Sequence, residues 1–140
     1  MMSRRIGPLA ALALAVAMLA GPSSGDAARP LALPHTLQVG LTEWAVVPSQ
    51  GLISAGTLRL YVQNYGRLAH QLEIVPTDSW GARLPVRHGR AVGPVVPGAV
   101  VVKPGRLRSL DVYLSPGSYV LLDNIRGHYS LGAAVTIVAA

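Results

Sequence analysis

Cysteine is absent from the 140 residues. No disulfide can staple the chain, and no thiolate is available as nucleophile or metal ligand. Such a chain must hold its fold by its core alone, unless a ligand helps. Acids are scarce, with six Asp and Glu against twelve Lys and Arg and a formal net charge of +6. With so few carboxylates, no pair falls in an evident shared pocket for acid–base work. Residues 28–140 hold no Gly-x-Ser-x-Gly phrase that would set a serine for nucleophilic attack. The expectation is a protein that is not an enzyme. The apolar run Leu9–Ala20 has 12 residues, and a membrane-spanning helix needs about 20.

That short run does carry information. Arg4 and Arg5 precede it, and the break Gly21-Pro22-Ser23-Ser24-Gly25 follows. A basic start, a short apolar stretch and a small-residue region form the layout of a secretory signal peptide. Residues 1–27 are expected to be the leader, cleaved after Ala27, and residues 28–140 the mature domain. Ser3-Arg4-Arg5 also invites a twin-arginine reading, although Gly7 stands where that motif favours a bulky apolar residue. Either route places the protein in the periplasm or outside the cell. With no cysteine after the apolar run, a lipid anchor is excluded, and no membrane anchor is expected after cleavage.

Without residues 1–27 the chain keeps ten basic and five acidic side chains. The basic residues are scattered from Arg29 to Arg126, and no run interleaves them with aromatics as single-strand nucleic-acid binders do. A solvated surface is the expectation, with no nucleic-acid partner.

Most of the mature chain alternates with period two, as half-buried strands do. Leu37, Val39 and Leu41 share one face, and Leu58, Leu60 and Val62 repeat the pattern. Leu72 with Ile74, and Leu110 with Val112 and Leu114, do the same. Tyr119–Leu122 and Ala134–Val138 are apolar throughout. Turn signals fall between these stretches, among them Asn64-Tyr65-Gly66, Pro104-Gly105 and Pro116-Gly117. The spacing predicts an all-β sandwich or barrel. Residues 76–99, with four prolines and four glycines, read as a long connection with one helical turn near Asp78–Ala82. Trp44 and Trp80 read as core or edge-packing aromatics, and Tyr129 as core or rim packing.

Four histidines are present, His35, His70, His88 and His128. His70 opens a strand just after the Asn64 turn. His128 lies in the loop before the last strand, and Asp123 ends the strand before that loop. A carboxylate and an imidazole flanking one loop can meet a second imidazole from a neighbouring strand at one end of a sandwich. Nitrogen and oxygen donors of this kind suit Cu(II), Zn(II) or Ni(II). His88, in the long connection, could swing towards them. His35 only loosely resembles an amino-terminal copper anchor.

From about Gln38 to Val138 the chain resembles the cupredoxins, the blue-copper proteins of the plastocyanin and azurin type. The resemblance rests on Pro48–Gly56 followed by a strand ending in Asn64-x-Gly66, then on His70 and the late turns at Pro104-Gly105 and Pro116-Gly117. It rests also on Asp123-x4-His128-x3-Gly132-Ala133, which has the spacing of Cys-x4-His-x3-Gly-Met. The resemblance implies a Greek-key β-sandwich with His70 and His128 at the two histidine positions. Asp123 stands where the cysteine would be, and Ala133 where the methionine would be. The copper–thiolate bond that gives the blue colour therefore cannot form. Three readings follow. The first is an atypical copper protein with ligands His70, Asp123 and His128, in which a hard carboxylate favours the cupric ion. The second is a metal-free scaffold in which Asp123 and Asn124 serve as turn chemistry. The third is a low-potential electron-transfer protein.

Overall fold

Along Gly56–Asn64 every second side chain is buried, so that Leu58, Leu60, Val62 and Asn64 face inward while Arg59 and Tyr61 face out. Thr36–Thr42 repeats this with Leu37, Val39 and Leu41. Such stretches cannot bury a face alone and pair into sheets. The computed structural model describes residues 32–140; the expected leader, residues 1–27, and its cleavage point lie outside them.

The strands in chain order are β1 (Thr36–Thr42), β2 (Ala45–Pro48), β3 (Leu52–Ile53), β4 (Gly56–Asn64), β5 (His70–Thr77) and β6 (Val86–Arg87). Then follow β7 (Arg90–Ala91), β8 (Val100–Val102), β9 (Leu107–Leu114), β10 (Gly117–Asp123) and β11 (Ala134–Ala139). One sheet has the order β2-β1-β4-β9 and the other β3-β11-β10-β5-β8. The chain crosses between them after β2, β3, β4 and β8, and again after β9. The result is the expected all-β, cupredoxin-like Greek-key sandwich. β1 with β4 and β3 with β11 pair in parallel, and the other neighbours are antiparallel. Leu37, Leu41, Ile53, Leu58, Leu60, Leu114, Leu121 and Ile137 fill the space between the sheets. Burying each side chain of this size is worth about 1.5–3 kcal/mol.

β10 departs from alternation, since every residue from Tyr119 to Asp123 is buried. The reason is the segment at residues 76–99. It carries the β6–β7 hairpin, and Leu84 and Ala91 join Val75, Val120, Leu122 and Tyr129 in a second apolar cluster on the outer side of β10. Both faces of this strand are therefore covered, which explains its unbroken apolar sequence. No helical turn forms at Asp78–Ala82. Thr77 Oγ1 accepts a hydrogen bond from the Ser79 N–H, and the chain bends and turns there instead. Such side-chain bonds compete with helix formation. Trp80, expected to pack, is 65% exposed.

Candidate metal centre

The site begins with Asn64, a polar residue buried at the end of β4. Its Nδ2 donates to the carbonyls of Leu68 and Val102, each at 2.8 Å, and its Oδ1 accepts from the Gly66 N–H at 2.8 Å. One side chain thus ties the 65–69 loop to β8. Directly after that loop, His70 opens β5 opposite Val102. Asp123 closes β10 in register with Leu72. Beyond it the Asp123–Ala133 loop is closed by the Asp123 N–H on the Ala133 carbonyl at 2.9 Å. His128 sits inside this loop, just ahead of a single 3₁₀ turn at Tyr129–Leu131.

These elements bring His70, Asp123 and His128 together as the sequence predicts. Nδ1 of His70 and Nδ1 of His128 each lie 2.5 Å from the same oxygen, Oδ2 of Asp123. The other oxygen, Oδ1, accepts from the N–H of Gln71 at 2.9 Å and of Ile125 at 3.1 Å. His70 and Asp123 are fully buried, and His128 is 7% exposed. Burial alone would push the Asp123 carboxyl up. The hydrogen bonds from the Gln71 N–H, His128, His70 and the Ile125 N–H together outweigh it and hold the group below the ordinary carboxylate range.

The turn between β1 and β2 closes over this triad. It contains only Glu43 and Trp44, because Thr42 pairs with Ala45. Trp44 adopts a left-handed φ of 65°, which costs a bulky residue about 1–2 kcal/mol. Its ring meets His128 edge-on, with centroids 5.1 Å apart. Glu43 reaches the other histidine, with Oε1 3.7 Å from His70 Nε2. The same Oε1 accepts from the N–H groups of Arg67 and Leu68 at 2.6 and 2.9 Å. Those bonds, from Leu68 first and then Arg67, hold the Glu43 carboxyl below its ordinary value.

Sequence reasoning missed Glu43 altogether and gave Trp44 only a packing role. An acid in a hairpin turn reads as solvated, and nothing local marks the histidine it faces. Tyr129 packs as expected, accepting a hydrogen bond from the Leu84 N–H on its hydroxyl at 2.8 Å. His88 lies exposed at the β6–β7 turn, and His35 is exposed before β1. Neither joins the group formed by His70, Asp123 and His128. Ala133, at the expected methionine position, is fully buried and supplies no donor side chain.

By type, two imidazoles and a carboxylate suit a borderline divalent ion. They do not suit the thiolate and thioether set of blue copper. By spacing, ligands about 2.0–2.1 Å from a tetrahedral ion stand roughly 3.3 Å apart. The 2.5 Å contacts would have to open by several tenths of an ångström to admit one. His128 lies in the loop that follows Asp123, so its contact can open without the sheets parting, whereas the His70 contact lies between the paired strands β5 and β10.

No family model matches the chain, and no curated protein matches it in sequence. Solved structures do match. The chain is similar to dithionite-reduced auracyanin from Roseiflexus castenholzii at 19% identity and a TM-score of 0.58, over 77% of this chain and 98% of that one. It is similar to reduced rusticyanin at 19% identity and a TM-score of 0.54, over 76% of this chain and 80% of that one. A third is auracyanin A from Chloroflexus aurantiacus, described as a blue copper protein, at 18% identity and a TM-score of 0.51, over 76% of this chain and 99% of that one. The match covers between 80% and 99% of these three proteins and establishes the fold. Among the described residues, no helix is long and apolar enough to cross a membrane.

Proposed function

We propose that this cupredoxin-fold protein is exported and binds Cu(II) through His70, Asp123 and His128, as a copper-handling protein without a blue-copper centre. The observation that carries the reading is the convergence of the two Nδ1 atoms on one buried carboxylate oxygen. Buried polar side chains are costly unless something gathers them, and three of them meet here. The residues would divide the work simply. His70 stands on β5 directly after the loop that Asn64 ties down, and Asp123 is fixed from β10 by two backbone N–H groups. His128 lies on the partly open side, under Trp44. A bound cupric ion would supply a Lewis-acidic centre whose carboxylate ligand favours Cu(II) over Cu(I). That preference supports holding or handing over copper more than fast electron exchange.

A second reading is carried by the 2.5 Å contacts themselves. With a proton on each Nδ1, the carboxylate accepts from both imidazoles and from two backbone N–H groups, which satisfies all its lone pairs. In that state Asp123 braces the two loops without a metal, and the protein is a binding scaffold on the same fold.

Cu(II) titration of the purified mature protein, with calorimetry and electron paramagnetic resonance, separates the two. One-to-one binding with nitrogen hyperfine structure, weakened in Asp123→Ala and His128→Ala, supports the first reading. Uptake no greater than that of a nonspecific control protein leaves the metal-free scaffold.

A further inference from the structure

Arginines that lie far apart in the sequence meet around the turn of the β6–β7 hairpin. Arg87 and Arg90 are directly opposed in its register, and opposed residues of an antiparallel pair leave the same face of the ribbon. The neighbouring pair, Val86 with Ala91, turns Ala91 into the apolar cluster on β10. By alternation Arg87 and Arg90 stand on the solvent side, and both are exposed. His88 and Gly89 make the turn, with φ of 50° and 77°, the left-handed pair of a tight hairpin turn. Gly89 serves a second purpose. A Cβ there would lie 2.8 Å from Cγ of Arg126, so the missing side chain lets the stem of Arg126 lie across the turn. The Gly127 N–H donates to the Gly89 carbonyl at 2.7 Å and locks the two segments together. Arg90 Nη1 donates to the Asn124 carbonyl at 2.8 Å, which ties it to the same loop.

Three guanidinium groups are thus gathered round one turn, and none of them pairs with a carboxylate. Among the described residues, Arg59 is the one arginine or lysine that does so, with Asp111. The acid on this side, Glu73, is taken up by Asn124 Nδ2 at 2.7 Å and Gln71 Nε2 at 3.0 Å. Gln71 stands between it and Arg90. Like charges directly opposed across a strand pair destabilise it, so the fold alone gives no reason to place them there. We propose that Arg87, Arg90 and Arg126 form a docking surface for an acidic, carboxylate-rich segment of a partner protein. The guanidinium fork matches a carboxylate with two parallel hydrogen bonds. All three side chains are exposed at a turn, so they suit a run of carboxylates along a chain better than one enclosed small anion. A second copy of this protein does not fit, since residues 28–140 carry ten basic against five acidic side chains and bring the same sign of charge. The surface borders the His128 loop through Gly127. It does not rest on the copper reading, because no candidate metal ligand takes part in it.

Decaglutamate is the probe, and two double variants of the mature protein remove equal charge. Arg87→Gln with Arg126→Gln strips the turn. Arg106→Gln with Arg108→Gln takes two charges from the start of β9, in the other sheet. Both should keep the amide spectrum of the folded sandwich. At about 0.1 M salt, charges more than roughly 10 Å apart are largely screened. Under these conditions the unaltered protein should bind decaglutamate with amide shifts centred on residues 86–91 and 125–128. The turn variant should bind about fivefold or more weakly, and the β9 variant within about a factor of two of the unaltered protein. Equal weakening in both variants would show a response to net charge alone and overturn the proposal, as would no binding by the unaltered protein. Vesicles of equimolar phosphatidylglycerol and phosphatidylcholine whose binding depends on Arg87 and Arg126, when that of decaglutamate does not, would put a membrane on this surface and overturn it as well. Arg87→Gln alone separates docking from structure. Its urea midpoint should equal or exceed that of the unaltered protein, because the opposed pair of charges is relieved. A lower midpoint would mean that the arginine serves the fold, against the proposal.

Discussion

Trp44 covers His128 edge-on at 5.1 Å while its own backbone sits at a left-handed φ of 65°. Strain of this kind persists where the surroundings over-determine it. Replacing Trp44 removes the ring in either of two ways. Trp44→Gly also relieves the backbone and Trp44→Ala does not, so the glycine variant should be the more stable by about 1 kcal/mol. Urea unfolding midpoints decide this, and equal midpoints would show that the turn carries no strain.

The same contact makes Trp44 a reporter. Cu(II) held by His128 should quench the fluorescence of Trp44, whereas Trp80 lies beside Gly51, apart from the triad. Trp44→Phe should abolish most of the quenching without changing the stoichiometry seen by calorimetry. Unchanged quenching in that variant would place bound copper elsewhere.

Asp123→Cys supplies the donor that the family pattern has at this position. The backbone positions of the two imidazoles stay the same, so Cu(II) should produce the intense blue absorption of a copper–thiolate bond. Without copper the variant should lose stability, by about 2–3 kcal/mol, because a thiol cannot accept the hydrogen bonds of a buried carboxylate. A colourless copper complex would mean that the two histidines do not sit as the fold places them.

Stability at low pH should depend on Asp123. Its folded carboxyl value lies below the unfolded one, which is about 3.9. The stabilisation is therefore complete above roughly pH 4 and is lost as pH falls through the lower folded value. Asp123→Asn should cost stability near neutrality and progressively less under acid. Urea midpoints measured for both proteins from neutral pH to about pH 2 test the sign, and a gap that widens under acid would contradict it.

Asn64→Ala removes three hydrogen bonds at once, those to Gly66, Leu68 and Val102. The loss should be about 2–3 kcal/mol, since two carbonyls and an N–H lose their partner. His70 should become mobile in the same variant, which line broadening of its ring signals would show. A sharp His70 signal would mean that β5 alone holds the ring.

Much of this was legible in the sequence, for identifiable reasons. Strands with one solvated face announce themselves by period two, and β1, β4 and β9 lie where Leu37, Leu58 and Leu110 begin their alternations. Asn64, Gly66, His70, Asp123 and His128 were legible because loop closure fixes their spacing along the chain. Glu43 was not, because its partners Arg67, Leu68 and His70 are reached through space from a different hairpin. The hairpin at Val86–Ala91 was hidden by the prolines and glycines of the 76–99 segment around it. Its effect could still be read from Tyr119–Leu122, where unbroken hydrophobicity signals cover on both faces.

That double cover has a consequence for how the centre can open. Amide hydrogens of Tyr119–Asp123 should be among the slowest to exchange, because this stretch of β10 is buried throughout and packed by the second apolar cluster on its outer side. Asp123 is thereby a fixed post. Entry and exit of any ligand must be borne by the two-residue turn above it and by the His128 loop. The lifetime of a bound state would then be written in the breathing of Glu43 and Trp44, not in the melting of the frame.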